Sequence, residues 1–112
     1  MSKKVINVAL LGLGTVGTGV YKVLKMQQDD MEDKIGARAE IKKILVRNLK
    51  KAAAKIEEPE LLTNDWKEIL EDDSIEIVIE VMGGIEPAKT YMLEALKAGK
   101  HVVTANKDLV AS

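Results

Sequence analysis

Apolar positions along the chain change their period several times, and each change predicts an element. Val5-Ile6-Asn7-Val8-Ala9-Leu10-Leu11 is a short, nearly continuous apolar run ended by Gly12. Such a run reads as a strand buried on both faces. From Thr15 onward, apolar residues fall at Val16, Val20, Val23, Leu24 and Met31, mostly at helical spacing. This predicts a helix to about Met26 with a polar tail through Asp33, broken at Gly36. Ile41 to Val46 is the second predicted strand. Asn48 is placed to cap a short helix from Leu49 to Ile56, stopped by Pro59. Leu61-Leu62-Thr63 fits a short edge strand, and Asn64 or Asp65 caps a helix through Leu70. Ile75 to Val81, rich in β-branched residues, is a strong strand. Pro87 stands where a first helical residue belongs. Ala88, Met92, Ala95 and Leu96 share one helical face, and Gly99 ends that helix as a left-handed cap. His101 to Thr104 is the last strand, and Asn106 to Val110 opens another helix.

Strands alternating with helices in this way predict an α/β fold. The expected architecture is a Rossmann-like parallel sheet of about five strands with helices on both faces. The chain stops at Ser112 inside its last predicted helix, so the fold is expected to be truncated. Residues 1–112 read as a single, incomplete nucleotide-binding domain.

Composition narrows the chemistry. An apolar fraction of 46% and a charged fraction of 31% belong to a globular domain, not a disordered tail. The net charge of −1 speaks against a nucleic-acid partner, which favours a basic excess. There is no Cys and only one His, His101, so thiol nucleophiles, disulfides and Cys- or all-His metal sites are excluded. No apolar run approaches the roughly 20 residues of a membrane span, and no signal segment precedes the first strand. A cytoplasmic location is expected, with no membrane partner.

The chemistry lies in Gly12-Leu13-Gly14-Thr15-Val16-Gly17, a G-x-G-x-x-G run. Alone that pattern is weak, but here it follows a strand and opens a helix, as dinucleotide binding requires. Gly12 permits the tight turn, Gly14 lets backbone approach a pyrophosphate, and Gly17 allows close helix–strand packing. The helix N-terminus adds unpaired N–H groups and a positive dipole end. The usual acidic residue at the end of the second strand is missing, and Arg47 follows Val46 instead. A guanidinium there suits a 2′-phosphate, which favours NADP over NAD. The plainer alternative is a solvated charge at a strand end. Lys50 and Lys51 read as ordinary helix-surface lysines.

Two further segments fall at the same sheet edge. Met82, Gly83 and Gly84 follow the fourth strand, where paired glycines let a ribose or nicotinamide pass closely; a flexible turn before Pro87 explains them nearly as well. Glu80, in an otherwise apolar strand, reads as a satisfied buried carboxylate bonded to backbone. Thr104, Asn106 and Lys107 end the last strand, where a lysine reaches the nicotinamide ribose or a substrate. A cation beside a helix N-terminus costs up to about 1 kcal/mol, so its placement wants a reason. His101 falls at the opposite end of that strand and reads as structural.

The runs Gly-Leu-Gly-Thr-Val-Gly at 12–17, Glu-Val-Met-Gly-Gly-Ile-Glu-Pro-Ala at 80–88 and Ala-Gly-Lys-His-Val-Val-Thr-Ala-Asn-Lys at 98–107 resemble homoserine dehydrogenases. The resemblance spans essentially the whole chain in the family's order, and Thr-Ala-Asn-Lys is its most specific part. It implies hydride transfer between NAD(P) and the pair L-homoserine and L-aspartate 4-semialdehyde. That reaction belongs to threonine, isoleucine and methionine biosynthesis. It also implies pyrophosphate contacts from Leu13, Thr15 and Val16, a 2′-phosphate contact from Arg47, and a nicotinamide end near Thr104, Asn106 and Lys107. Family members are several times longer and homo-oligomeric, with a later segment that holds substrate and forms the dimer. No complete catalytic set is therefore expected in these residues, and the isolated chain is expected to be inactive. Two alternatives fit less well. Sugar dehydrogenases of the inositol-dehydrogenase type share Ala98 to Val102 but continue with Glu-Lys-Pro. A stand-alone nucleotide-sensing module gives Lys107 no role.

Overall fold

The computed structural model describes residues 4–82 and 86–104. Its sheet comprises β1 (Lys4–Leu11), β2 (Ala37–Leu45), β3 (Leu62–Thr63), β4 (Ile75–Glu80) and β5 (His101–Thr104), all parallel, in the order β3-β2-β1-β4-β5. The helices are α1 (Thr15–Ile35), α2 (Leu49–Ala53), α3 (Trp66–Leu70) and α4 (Ala88–Lys97). The sheet grows from β1 in two directions. Its first crossovers lead to β2 and β3, and later ones to β4 and β5 on the other side. The α/β class, the five strands and the parallel sheet match the expectation from the sequence.

Side-chain alternation sorts the core into two layers. Leu10, Ile44 and Val46 pack with Tyr21, Ala52 and Ile56 beneath α1 and α2. Ala9, Leu11, Leu45 and Val78 pack with Trp66, Ile69 and Ala95 beneath α3 and α4. Adjacent residues of one strand thus feed opposite layers, which is why the strands read as unbroken apolar runs. Among the described residues, no helix is long and apolar enough to cross a membrane.

Several boundaries differ from the sequence pattern for identifiable reasons. Helix α1 continues to Ile35 instead of trailing off after Met26. Part of its polar tail packs inward: the buried Gln28 amide donates to the Ala39 carbonyl at 3.0 Å and accepts from Arg38 at 2.8 Å. Strand β2 starts at Ala37, not Ile41, with Ala37, Ala39 and Ile41 buried between the more exposed Arg38 and Glu40. Helix α2 stops at Ala53 rather than Ile56, although Asn48 caps it as expected, accepting from the Lys51 N–H at 3.0 Å. Asp65, not Asn64, caps α3. Pro87 precedes α4 instead of forming its first turn. Gly99 takes the expected left-handed conformation, φ +86°. The helix expected over 106–110 lies outside the described residues.

Candidate functional site

The carboxyl ends of β1, β2 and β4 converge on an open cleft of about 830 Å³. It lies at the point where successive crossovers leave β1 in opposite directions, the place where open α/β sheets bind ligands. Gly12, Leu13 and Gly14 form its floor. Gly12 has φ +103°, and its N–H donates to the Leu45 carbonyl at 2.9 Å, so the turn is pinned to β2. Around Gly14, a Cβ would meet nothing within 4 Å: the side-chain space is open and the backbone can be approached. Gly17 is different. Its Cβ would stand 2.5 Å from the Gly12 carbonyl oxygen, so this glycine is required by packing.

The carbonyls of an anion cradle must point away from the anion. The Leu13 carbonyl is engaged within the protein, accepting from the Thr18 hydroxyl at 3.3 Å and from the Lys55 ammonium at 3.0 Å. The Thr18 N–H is taken by the Gly14 carbonyl at 2.8 Å. The amides ahead of it, in the first turn of α1, have no acceptor within the helix. With one oxygen sequestered and a cation drawn in, the turn has the donor set that a phosphate requires.

One wall is basic: Arg47, Lys51 and Lys55 all line the cleft beyond the end of β2. Arg47 falls where the sequence placed it. Lys51 is the exposed helix-surface lysine the sequence predicts and also borders the cleft, and Lys55 carries no sequence signal because its partner, Leu13, is 42 residues away. The segment after Lys55 is anchored to α1 through Glu58, which accepts from Tyr21 at 2.7 Å and pairs with Lys25 at 2.8 Å. The Lys25 ammonium and then the Tyr21 hydroxyl hold the Glu58 carboxyl below its ordinary range. Burial, then the bond to Glu58, pushes the Tyr21 phenol upward.

The opposite wall holds Met82, Glu86, Pro87 and Tyr91. The Thr90 hydroxyl, then the Thr90 amide, keeps the Glu86 carboxyl below its ordinary range, so this wall carries negative charge at neutral pH. Tyr91 stacks on Trp66 with ring centroids 4.6 Å apart. Beneath this wall Glu80 is wholly buried. One carboxylate oxygen accepts the Met82 N–H at 2.6 Å and the other accepts the Thr104 hydroxyl at 2.7 Å. The expected satisfied carboxylate is therefore present, bonded to a side chain as well as to backbone.

Of the predicted site residues, Gly12, Leu13, Gly14, Arg47 and Met82 line one cleft. Thr15 and Val16 stand exposed at the start of α1, and Thr104 is outside the cleft lining, its hydroxyl donating to the buried Glu80. Gly83, Gly84, Asn106 and Lys107 lie outside the described residues. His101 begins β5, paired with Ile77 and remote from the cleft, as expected.

Comparison with known proteins supplies the family. Residues 12–112 match the family described as homoserine dehydrogenase, NAD binding domain. The chain belongs to the homoserine dehydrogenase family. Over 108 residues it is 46% identical to homoserine dehydrogenase of Bacillus subtilis (strain 168), covering 96% of this chain and 25% of that protein. The crystal structure of S. aureus homoserine dehydrogenase at pH 6.0 superposes with a TM-score of 0.88 at 50% identity, covering 95% of this chain and 27% of that one. The chain thus spans about a quarter of the length of these homoserine dehydrogenases. Levoglucosan dehydrogenase, at 23% identity and a TM-score of 0.72, shares the fold alone. The family match supports a nicotinamide dinucleotide as cofactor.

Proposed function

We propose that residues 1–112 are the dinucleotide-binding part of an enzyme that interconverts L-homoserine and L-aspartate 4-semialdehyde, with NADP as the favoured cofactor and NAD as the alternative. The observation that carries the reading is the glycine turn, open at Gly14, with its Leu13 carbonyl held by Lys55, beside a wall formed by Arg47, Lys51 and Lys55. In this reading the amides of Leu13, Thr15 and Val16 hold the pyrophosphate. Arg47 grips the adenosine 2′-phosphate by bidentate, charge-assisted bonds. Met82, Gly83 and Gly84 let the nicotinamide half pass over β4. Thr104, Asn106 and Lys107 border its far end.

When bound, the nicotinamide ring gives or takes a hydride. Transfer needs donor and acceptor held about 3–3.5 Å apart, and a group to manage the alcohol proton. The wall that holds homoserine and that proton-handling group belong to a substrate segment beyond these residues, in a homo-oligomeric cytoplasmic enzyme. A lysine side chain, whose reference pKa is about 10.4, is a poor general base without a partner to depress it. The test is a titration of NADPH and NADH into the 112-residue chain, followed by an assay of NADPH formation from NADP and homoserine. Expected are binding that favours NADPH and no measurable oxidation. Robust turnover by the chain would contradict the assignment of the substrate site to another segment.

A further inference from the structure

Two kinds of partner hold the glycine turn. On one side the sheet takes the Gly12 N–H, through the Leu45 carbonyl at 2.9 Å. On the other the Gly14 carbonyl enters the start of α1, accepting the Thr18 N–H at 2.8 Å. The peptide between Leu13 and Gly14 belongs to neither element. Its carbonyl oxygen is held by side chains, the Thr18 hydroxyl at 3.3 Å and the Lys55 ammonium at 3.0 Å. The Thr18 contact is local and long. The Lys55 contact is shorter, carries a charge and arrives from 42 residues away. Fixing a lysine in one geometry costs rotamer freedom, yet the chain around Lys55 is built to present it. The Lys55 N–H donates to the Ala52 carbonyl at 2.9 Å, and Ala52 and Ile56 on either side are buried in the core beneath α1 and α2. Glu58, further along, is tied to α1 through Tyr21 and Lys25.

What the contact controls follows from peptide geometry. In a planar trans peptide the C=O and N–H point in opposite directions. Fixing the Leu13 oxygen therefore fixes the Gly14 N–H as well, aimed away from Lys55. Such a constraint matters beside Gly14, where a Cβ would meet nothing within 4 Å and side-chain packing does not set the backbone. The Gly14 N–H stands in sequence between the Leu13 amide and those of Thr15 and Val16. A flip of this one peptide would put the Leu13 oxygen in its place, a negative dipole end among donors. We propose that Lys55 is a positioning residue that locks the Leu13–Gly14 peptide against this flip and keeps the donor array of the turn intact before a nucleotide arrives. The inference rests on the dinucleotide reading above. It gives Lys55 an effect on the pyrophosphate, which NADPH and NADH share, and not on the 2′-phosphate.

The test compares the wild-type chain with Lys55→Met, which keeps the stem without the charge, Lys55→Arg, which keeps a cationic donor, and Thr18→Val, which removes the other donor. Affinities for NADPH and NADH are measured by calorimetry, and ¹⁵N relaxation dispersion at Gly14 is recorded without ligand. Lys55→Met is expected to weaken both cofactors equally, about tenfold, the size of one charge-assisted bond. It should also show microsecond-to-millisecond exchange at Gly14 that the wild type lacks. Lys55→Arg should match the wild type in both measurements. Thr18→Val should repeat the Lys55→Met pattern more weakly, and it decides the matter if Lys55→Met fails to fold. A loss confined to NADPH would make Lys55 a ligand of the 2′-phosphate, and an equal loss with Gly14 quiet would make it a direct ligand of the pyrophosphate. Either result overturns the proposal, as does unchanged affinity. Failure of the wild-type chain to bind either cofactor is a different result, and it would overturn the dinucleotide reading together with this one.

Discussion

The glycine turn and the end of β4 flank the same cleft, and the protein occupies different polar groups at each. At the glycine turn an oxygen is withdrawn: the Leu13 carbonyl is occupied by Thr18 and Lys55, which leaves an end rich in N–H groups and cations. At the end of β4 a carboxyl group is what the protein occupies: Glu80 accepts the Met82 N–H and the Thr104 hydroxyl. Arg47, Lys51 and Lys55 stand on the first side, Glu86 on the second. The difference teaches that the two sides of the cleft differ in charge and in which polar groups the protein satisfies internally. A parallel sheet allows this because its strands all deliver their carboxyl ends to one edge.

The largest effect is expected from breaking the donor-rich end. Gly14→Val puts a branched side chain into the open approach, at a position where the Cβ itself meets nothing within 4 Å. Nucleotide affinity should fall by about 100-fold or more, the value of two or more lost charge-assisted bonds. The melting temperature should stay within a few degrees. Gly17→Ala sharpens the contrast within the turn, because its Cβ meets the Gly12 carbonyl oxygen at 2.5 Å. It should lower stability itself, by about 1–3 kcal/mol in denaturant unfolding.

Next in size is Arg47→Ala. Losing a charge-assisted contact to the 2′-phosphate should weaken NADPH by about 1.5–3 kcal/mol, roughly 10- to 150-fold, in a calorimetric titration. NADH affinity should hardly change. Equal losses for the two cofactors would mean that the guanidinium does not distinguish them.

Substitutions at the amino ends of the strands, remote from both halves of the cleft, provide the control. Lys100 is buried there and donates to the Asp72 carbonyl at 2.7 Å and the Ile75 carbonyl at 3.0 Å. Lys100→Met should cost about 1–3 kcal/mol of stability, because two carbonyls lose their partner, with nucleotide affinity of the folded protein intact. The smallest effect concerns Asp72, whose carboxyl is held down at about 2 by the Lys42 ammonium and then the Ser74 hydroxyl. Its folded value lies below the unfolded one of about 3.9. The stability it contributes is thus present above that value and lost as pH falls toward 2. Melting temperature should drop across that window in the wild type, and Asp72→Asn should flatten the drop.

Much of this arrangement was legible in the residues. The five strands, the capping by Asn48, the left-handed Gly99, the buried satisfied Glu80 and the cleft positions of Gly12, Leu13, Gly14, Arg47 and Met82 all follow from local pattern. What was not legible depends on distant partners. Strand β2 begins four residues early because Ala37 and Ala39 are too weakly apolar to reveal alternation with Arg38 and Glu40. The tail of α1 looks solvated until β2 is beside it to receive Gln28. Lys55 sits in a lysine-rich stretch and gains its meaning only from the fold that places it on Leu13. The Glu80–Thr104 bond likewise joins two segments that only strand pairing brings together.

The central claim is that the cleft is polarised, with phosphate held at the glycine turn and away from β4–β5. The most direct measurement is an amide chemical-shift map of the ¹⁵N-labelled chain titrated with 2′,5′-ADP. The account predicts the largest saturable shifts at Leu13, Gly14, Thr15 and Val16, extending to Arg47 and Asn48, with Ile79 to Met82 and Val102 to Thr104 scarcely moved. Shifts centred on Met82 and Thr104, with the glycine turn silent, would contradict it.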